Sequence, residues 1–191
     1  MRSGGGPSVW GDLFFEPGVR VCRGAGFPLG EALGTSNLGR VAARAGRFEE
    51  AHGLYEEAER RFAEIGSKRY VTETRARVAE VLVFEGRHGE ARRVAESCRE
   101  DARETPFGAL EAQIERQLAY ALCQARLPDE ARGHFEDSLR IARELNVEFE
   151  VALTLRAMAD IQHPDADALR AESDAILERL GVVAVPKVPL P

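Results

Sequence analysis

The chain has 191 residues, of which 44% are hydrophobic, 30% are charged and 7% are aromatic. Its formal net charge of −6 argues against general binding to nucleic-acid phosphates, which requires a basic surface. No apolar run reaches the roughly 20 residues of a membrane-spanning helix, and residues 1–6 lack the apolar segment of a secretory signal. We therefore expect a cytoplasmic protein that has neither a membrane nor a nucleic acid as its partner.

Residues 1–28 differ in composition from the rest of the chain. The glycine-rich residues 4–8 predict a flexible start, and Glu16-Pro17-Gly18 is expected to interrupt any helix there. Gly26 nevertheless lies 40 residues before Gly66, so Val19 to Arg23 is consistent with the remnant of a second helix from an earlier repeat. We interpret residues 1–28 as a flexible region or a degraded half-repeat.

An alanine recurs every 40 residues, at Ala51, Ala91 and Ala131, and each follows a glutamate. Gly46 and Gly86 precede the first two of these alanines by five residues and mark turns. On either side of the turns, apolar residues spaced three or four positions apart predict amphipathic helices. A fixed period of this length is typical of stacked helix pairs.

The predicted units follow one another along residues 29–181. The first runs from about Leu29 to Gly66, the second from about Ser67 to Thr105, and the third from Phe107 to Asn146, which replaces the stop glycine. A fourth helix pair, five residues shorter, ends at Gly181 and suits a capping repeat. Residues 182–191 are apolar and proline-rich, which fits either a disordered tail or an arm that lies on the last helices.

The residue patterns that could carry catalysis or metal binding are incomplete. Glu49-Glu50-Ala51-His52 contains one E-x-x-H motif where a di-iron bundle needs two, and His88-Gly89-Glu90 lacks the P-C-x-x-C partner of a zinc deaminase. The chain also has no glycine-rich phosphate loop and no nucleophile paired with a base. Cys22, Cys98 and Cys123 form no C-x-x-C pair, which favours reduced structural thiols. We predict no metal, no cofactor and no enzymatic activity.

The repeated unit resembles the tetratricopeptide repeat (TPR). Its small-residue signature is carried in the first copy by Leu38, Gly39, Gly46, Ala51, Tyr55 and Ala58, in the second by Val78, Ala79, Gly86, Ala91, Ala95 and Cys98, and in the third by Leu118, Ala119, Ala131, Phe135 and Ser138. In the third copy Arg126 stands where the turn glycine is expected. The resemblance covers residues 29–181 as one superhelical domain. It implies an all-α fold, a TPR-like α-solenoid of antiparallel helix pairs with a period of about 40 residues, three full repeats and a terminal pair.

A narrower resemblance concerns short stretches near the two ends. Residues 26–33 with residues 35–40, and the ending at 177–183, look like the C-terminal helical region of actinobacterial adenylate/guanylate cyclase-type regulators. In that family a cyclase domain and a nucleotide-binding ATPase precede the repeats. The resemblance implies an interaction or sensory arm and transfers no catalytic residue to this chain.

In stacked helix pairs the first helix of each unit lines the concave side, where extended peptides or helices bind. Five arginines are expected there and could hold a carboxylate or phosphate bidentately, with Phe84 and Tyr120 as aromatic anchors. The alternative is that these arginines pair with Glu73, Glu80 and Glu115. The predicted partner-binding residues are Asn37, Arg40, Arg44, Arg77, Glu80, Phe84, Arg116, Gln117, Tyr120, Gln124, Arg156 and Asp160.

The leading hypothesis is therefore a non-catalytic protein–protein interaction scaffold that binds a protein or peptide in its concave groove. By the narrower resemblance it would be the C-terminal interaction or sensory arm of a bacterial signalling regulator. The alternative is a small-molecule-sensing regulatory arm of a cyclase, an ATPase or a transcriptional activator.

Overall fold

The structure is a computed structural model that describes residues 15–104, 108–161, 164–182 and 184–191. These residues form nine α-helices and no strand: α1 (Glu16–Gly24), α2 (Pro28–Arg44), α3 (Phe48–Glu64), α4 (Lys68–Phe84), α5 (His88–Glu104), α6 (Ala109–Gln124), α7 (Pro128–Glu144), α8 (Glu148–Asp160) and α9 (Ala166–Arg179). The chain divides into two compact units, Met1–Val81 and Leu82–Pro191, and α4 contributes residues to both. No helix in the described ranges combines the length and the apolar character needed to cross a bilayer.

Several helices end at residues with left-handed backbone geometry. Gly46, Gly66 and Gly86 follow α2, α3 and α4 with φ of 74°, 72° and 73°, which glycine adopts without steric cost because it has no Cβ. Arg126 and Asn146 take the same conformation after α6 and α7, with φ of 63° and 53°. The prediction that Asn146 replaces a stop glycine is therefore confirmed.

Helix α1 begins at Glu16, where the sequence analysis expects an interruption. Pro17 lies in the first turn, where its missing N–H has no intrahelical acceptor to lose. The expectation of a helix break there is wrong, because this proline starts a helix. The buried carboxylate of Glu31 on α2 accepts a hydrogen bond from Arg23 Nε at 2.5 Å and lies 3.0 Å from Arg61 Nη1, which links α1, α2 and α3.

In the unit Met1–Val81, α2 and α3 pack through small residues and aromatic rings. Ala51 and Tyr55 are fully buried in one cluster. Gly39 lies so close to the Tyr55 ring that an added Cβ would stand 2.7 Å from its Cε1. Phe62 stacks on Tyr70 of α4 with ring centroids 5.0 Å apart. This packing sets α2, α3 and α4 side by side and orders the polar face that α2 and α4 share.

In the unit Leu82–Pro191, the core lies among α6, α7 and α8. Ala119 and Phe135 are buried in one cluster. Ser138 of α7 donates to the backbone oxygen of Ala112 at 2.7 Å, and its Oγ lies 2.8 Å from Thr154 Oγ1, so these buried hydroxyls are hydrogen-bonded. Helices α8 and α9 have 13 and 14 residues, compared with 17 in α7, in agreement with the predicted shorter terminal pair.

Some predicted boundaries fall outside the described residues: the glycine-rich start at residues 4–8, the end of the second unit at Thr105 and the beginning of the third at Phe107. The division of the chain into residues 1–28, 29–181 and 182–191 stays a prediction.

Candidate interaction surfaces

The predicted partner-binding residues of the unit Met1–Val81 lie on α2 and α4. Arg44 Nη2 is 3.3 Å from Glu80 Oε1. Arg77 donates to Ser36 Oγ at 3.1 Å and to Glu73 Oε1 at 2.5 Å. Two of the arginines therefore pair with α4 carboxylates, which is the alternative that the sequence analysis left open for them.

Two further predicted residues of this unit differ in exposure: Arg40 is exposed on α2, and Asn37 is half-buried one turn earlier. The Tyr55 ring lies among these charges, and its hydroxyl has no hydrogen-bond partner within the described ranges. Burial raises the pKa of this hydroxyl well above its usual value of 10.0, although the positive charge of Arg77 acts in the opposite direction. The surface thus combines two exposed arginines, Arg40 and Arg44, the second paired with Glu80, with a buried phenol beneath them.

Arg116 and Gln117 lie inside the helix layer of the unit Leu82–Pro191, with 3% and 2% of their surface exposed. Arg116 Nη1 is 2.5 Å from Glu150 Oε2 on α8 and 3.4 Å from Thr154 Oγ1. Both positions differ from the open display that the sequence analysis expects, and Arg116 is covered because α8 packs against α6. Glu115, expected to pair with an arginine, instead lies 2.6 Å from Nδ1 of His134.

A second surface involves Tyr120 and Gln124, both on α6, and a non-helical stretch of the chain. Gln124 Nε2 donates to the backbone oxygens of Val83 and Pro189, at 2.8 Å and 2.9 Å. Leu190 packs against the core cluster that contains Phe135, and Tyr120 meets the ring of Phe135 edge to face at a centroid distance of 5.6 Å. Residues 184–191, hereafter the docked segment, therefore lie on α6.

A cavity of about 650 Å³ lies between residues 184–188 of the docked segment and parts of α6, α8 and α9. Tyr120, Arg156 and Asp160, three of the predicted residues, line it. Arg156 forms an ion pair with Asp174, and Arg170 Nη2 is 3.3 Å from Asp160 Oδ1. Phe84, a predicted aromatic anchor, is half-buried at the end of α4 and does not line this cavity.

The sequence analysis missed several residues of this surface: Arg170, Asp174, Pro189 and Leu190. Arg170 and Asp174 form ion pairs with residues of another helix. The two residues of such a pair have no fixed separation in the sequence, so a single sequence does not predict the pair. The docked segment did carry a signal, since prolines at 186 and 189 form the P-x-x-P pattern of extended recognition segments.

Across the described ranges, no group of three or more His, Cys, Asp or Glu side chains could hold a metal ion. Within these ranges Cys22, Cys98 and Cys123 are thiols and not disulfides. Burial raises the pKa of the Cys123 thiol to about 11, which suppresses the reactive thiolate at neutral pH.

Paired helices with buried small residues and left-handed stops define an all-α helical-repeat protein, a TPR-like α-solenoid. Residues 35–60 and 116–148 match the family model described as "Tetratricopeptide repeat", which supports a TPR protein. The crystal structure of BtubC (BKLC) from P. vanneervenii is similar, with a TM-score of 0.67 and 20% sequence identity over 93% of this chain and 75% of that chain. At this identity the similarity concerns the fold. No curated protein matches the sequence.

Proposed function

We propose that this chain is a non-catalytic scaffold that binds a protein or peptide on the polar faces of its helix pairs. TPR repeats generally mediate protein–protein interactions, and residues 35–60 and 116–148 match that repeat. The observation that carries the proposal is the docked segment, an extended stretch held on α6 by a hydrogen bond from Gln124 and by Leu190. A surface that accommodates an extended backbone in this way has the chemistry of a peptide-binding site.

The finer proposal places the chain in a cytoplasmic bacterial signalling regulator, as its C-terminal interaction or sensory arm. It rests on the resemblance that the sequence analysis finds between residues 26–33, 35–40 and 177–183 and the cyclase-type regulators. In this arrangement the helical repeats would receive a protein signal, and a separate module would carry the enzymatic activity.

A second candidate is the sensing of a small molecule, which the cavity of about 650 Å³ favours. Its volume lies within the range of about 300–1,000 Å³ found for ligand pockets, and Arg156, Arg170 and Asp160 offer charged groups at its wall. A metabolite that raises the melting temperature through this cavity would support sensing. If the metabolite no longer raises the melting temperature of Arg170→Ala, its binding site is the cavity.

The test of the scaffold proposal is a quantitative pull-down with full-length variants. Arg77→Ala alters the surface on α2 and α4, and Tyr120→Ala alters the surface on α6. Arg92→Ala is a matched control on α5, where the exposed Arg92 pairs with Glu96 at 2.8 Å. We expect at least one of the first two to reduce recovery of a specific partner by about tenfold, the effect of losing roughly 1.4 kcal/mol at an interface hot spot.

The control should leave recovery unchanged, and the helical circular dichroism of all variants should match the wild type. Reconstitution with the purified partner should then show the same order of affinities. If neither Arg77→Ala nor Tyr120→Ala changes recovery relative to Arg92→Ala, these surfaces are not the partner sites and the proposal fails.

A further inference from the structure

We propose that the docked segment is an internal ligand, which occupies the α6 surface in competition with an extended, proline-containing apolar segment of a partner protein. This inference rests on the proposed function and specifies the chemistry of the partner. It also assigns a regulatory role to residues 184–191, whose release would open the site.

The contacts of the docked segment are those of a bound peptide. From Lys187 to Leu190, exposed residues alternate with half-buried ones, as expected of an extended chain. Leu190 is an apolar anchor that packs against the core cluster. Gln124 Nε2 donates a hydrogen bond to the backbone oxygen of Pro189 at 2.9 Å. Backbone contacts contribute affinity, and the pocket for the anchor contributes selectivity.

The composition of the segment suits reversible docking. Prolines at 186, 189 and 191 fix φ and reduce the entropy that an extended segment loses on binding. Because prolines have no backbone N–H, this stretch has fewer donors that need a hydrogen-bond partner than a strand or a helix of the same length. A partner segment of the same kind should combine prolines with a leucine-like anchor.

A partner has a way to displace the segment. The Oε1 atom of Gln124 is buried and has no hydrogen-bond partner among the described residues. Pro189 cannot satisfy it, because proline has no backbone N–H. A partner residue could accept a hydrogen bond from Gln124 Nε2 with its backbone oxygen and also donate its backbone N–H to Gln124 Oε1. It would then make one hydrogen bond more with Gln124 than Pro189 does. That gain allows an untethered partner to compete with a tethered ligand.

The charges around the site favour an apolar ligand over an acidic one. Arg156 is paired with Asp174, and Arg170 lies 3.3 Å from Asp160. Glu178 adds a negative charge to the cavity wall. An acidic peptide would therefore meet guanidinium groups that already have carboxylate partners.

Docking in the intact chain can be measured by limited proteolysis with a lysine-specific protease. The chain has lysines only at Lys68 and Lys187, so cleavage after Lys187 reports release of the segment and cleavage after Lys68 reports opening of α4. Leu190→Asp removes the apolar anchor, and Pro191→Asp places the same charge at an exposed neighbouring position. We expect Leu190→Asp to accelerate cleavage after Lys187 about tenfold, with the rate at Lys68 unchanged. Equal rates at Lys187 in all three proteins would overturn the proposal.

Competition is measured with a fluorescently labelled peptide that has the sequence of residues 184–191, added to the same full-length proteins. If the wild-type segment is docked in about nine molecules of ten, the apparent affinity for an added ligand falls about tenfold. The peptide should therefore bind Leu190→Asp about ten times more tightly than it binds the wild type or Pro191→Asp. Anisotropy gives the three dissociation constants.

The possible outcomes separate this inference from the scaffold proposal. Faster cleavage at Lys187 without tighter peptide binding to Leu190→Asp would mean that residues 184–191 only brace the helices, and the internal-ligand proposal would be wrong. The scaffold proposal would remain intact in that case, because the pull-down with Arg77→Ala and Tyr120→Ala tests it independently.

Discussion

Buried hydroxyls in the two units have opposite environments. In the unit Leu82–Pro191, Ser138 and Thr154 share a hydrogen bond of 2.8 Å, and Ser138 also donates to a backbone oxygen. In the unit Met1–Val81, the hydroxyl of Tyr55 is equally buried but has no hydrogen-bond partner among the described residues. Since an unpaired buried hydroxyl is destabilising, Tyr55 is a position where the native residue does not give the highest stability.

The variant Tyr55→Phe should therefore be more stable than the wild type. Removing the hydroxyl keeps the ring against Gly39 and eliminates a desolvation cost of about 1 kcal/mol. Urea denaturation followed by circular dichroism measures the free energy of unfolding. Tyr70→Phe is a suitable control, because its ring is only partly buried and should change stability by less than about 0.5 kcal/mol. A clear loss of stability in Tyr55→Phe would show that the hydroxyl is hydrogen-bonded in solution.

At the scale of elements, the left-handed stops at Arg126 and Asn146 lack the glycine that relieves strain in this conformation. Arg126 is exposed and has φ of 63°, so Arg126→Gly should raise the free energy of unfolding by about 1 kcal/mol. Asn146→Gly should give a smaller gain, because asparagine tolerates left-handed geometry.

The reverse substitution is the control for this prediction. Gly86→Ala should lower the free energy of unfolding by about 1 kcal/mol, because Gly86 has φ of 73° and an added Cβ would contact nothing within 4 Å. Only backbone strain would then change. Thermal unfolding of the three variants checks the order, and a destabilised Arg126→Gly would mean that the Arg126 side chain makes a compensating contact.

These helix ends also show what the sequence could predict. The 40-residue recurrence of Ala51, Ala91 and Ala131, together with the intervening glycines, was sufficient to predict helix pairs, because packing demands small residues at fixed positions. Pro17 was misinterpreted because proline both ends helices and occupies their first turn. Only the packing of α1 on its neighbours shows that Pro17 lies in the first turn of a helix and does not end one.

The interaction surfaces were less predictable than the helices. Helical register placed Tyr120 and Gln124 on one face of α6, next to which the docked segment lies. Register did not reveal that α8 covers Arg116, since its partner Glu150 lies 34 residues further along the chain. Pairings of this kind depend on how helices pack, and no local pattern encodes them.

For the molecule as a whole, apolar packing contributes more to stability than the numerous charges do. Many arginines pair with carboxylates three or four residues away on the same helix, such as Arg60 with Glu64 and Arg92 with Glu96. Exposed pairs of this type contribute about 0–1 kcal/mol each and are weakened by salt. The fully buried alanines and aromatic rings between helices are the larger source of stability.

Stability should consequently depend on pH mainly through buried groups that resist ionisation. Burial raises the pKa of the Cys123 thiol from 9.0 to about 11, and it also raises the pKa of the Tyr55 hydroxyl. Between pH 9 and 11 the unfolded chain releases the Cys123 proton while the native chain retains it, so the free energy of unfolding falls as pH rises. The expected loss from Cys123 is about 1 kcal/mol at pH 10.

Urea denaturation at pH 8, 9 and 10 in the presence of a reductant measures this loss. Cys123→Ala has a cavity cost at every pH, but the decline of its stability with pH should be shallower than that of the wild type, because the shifted group is gone. Cys22→Ala, at a half-buried position on α1, should retain the wild-type decline. If Cys123→Ala and the wild type lost equal stability between pH 8 and 10, the Cys123 thiol would ionise alike in the native and unfolded chains, and its burial in the cluster that contains Phe135 would not raise its pKa.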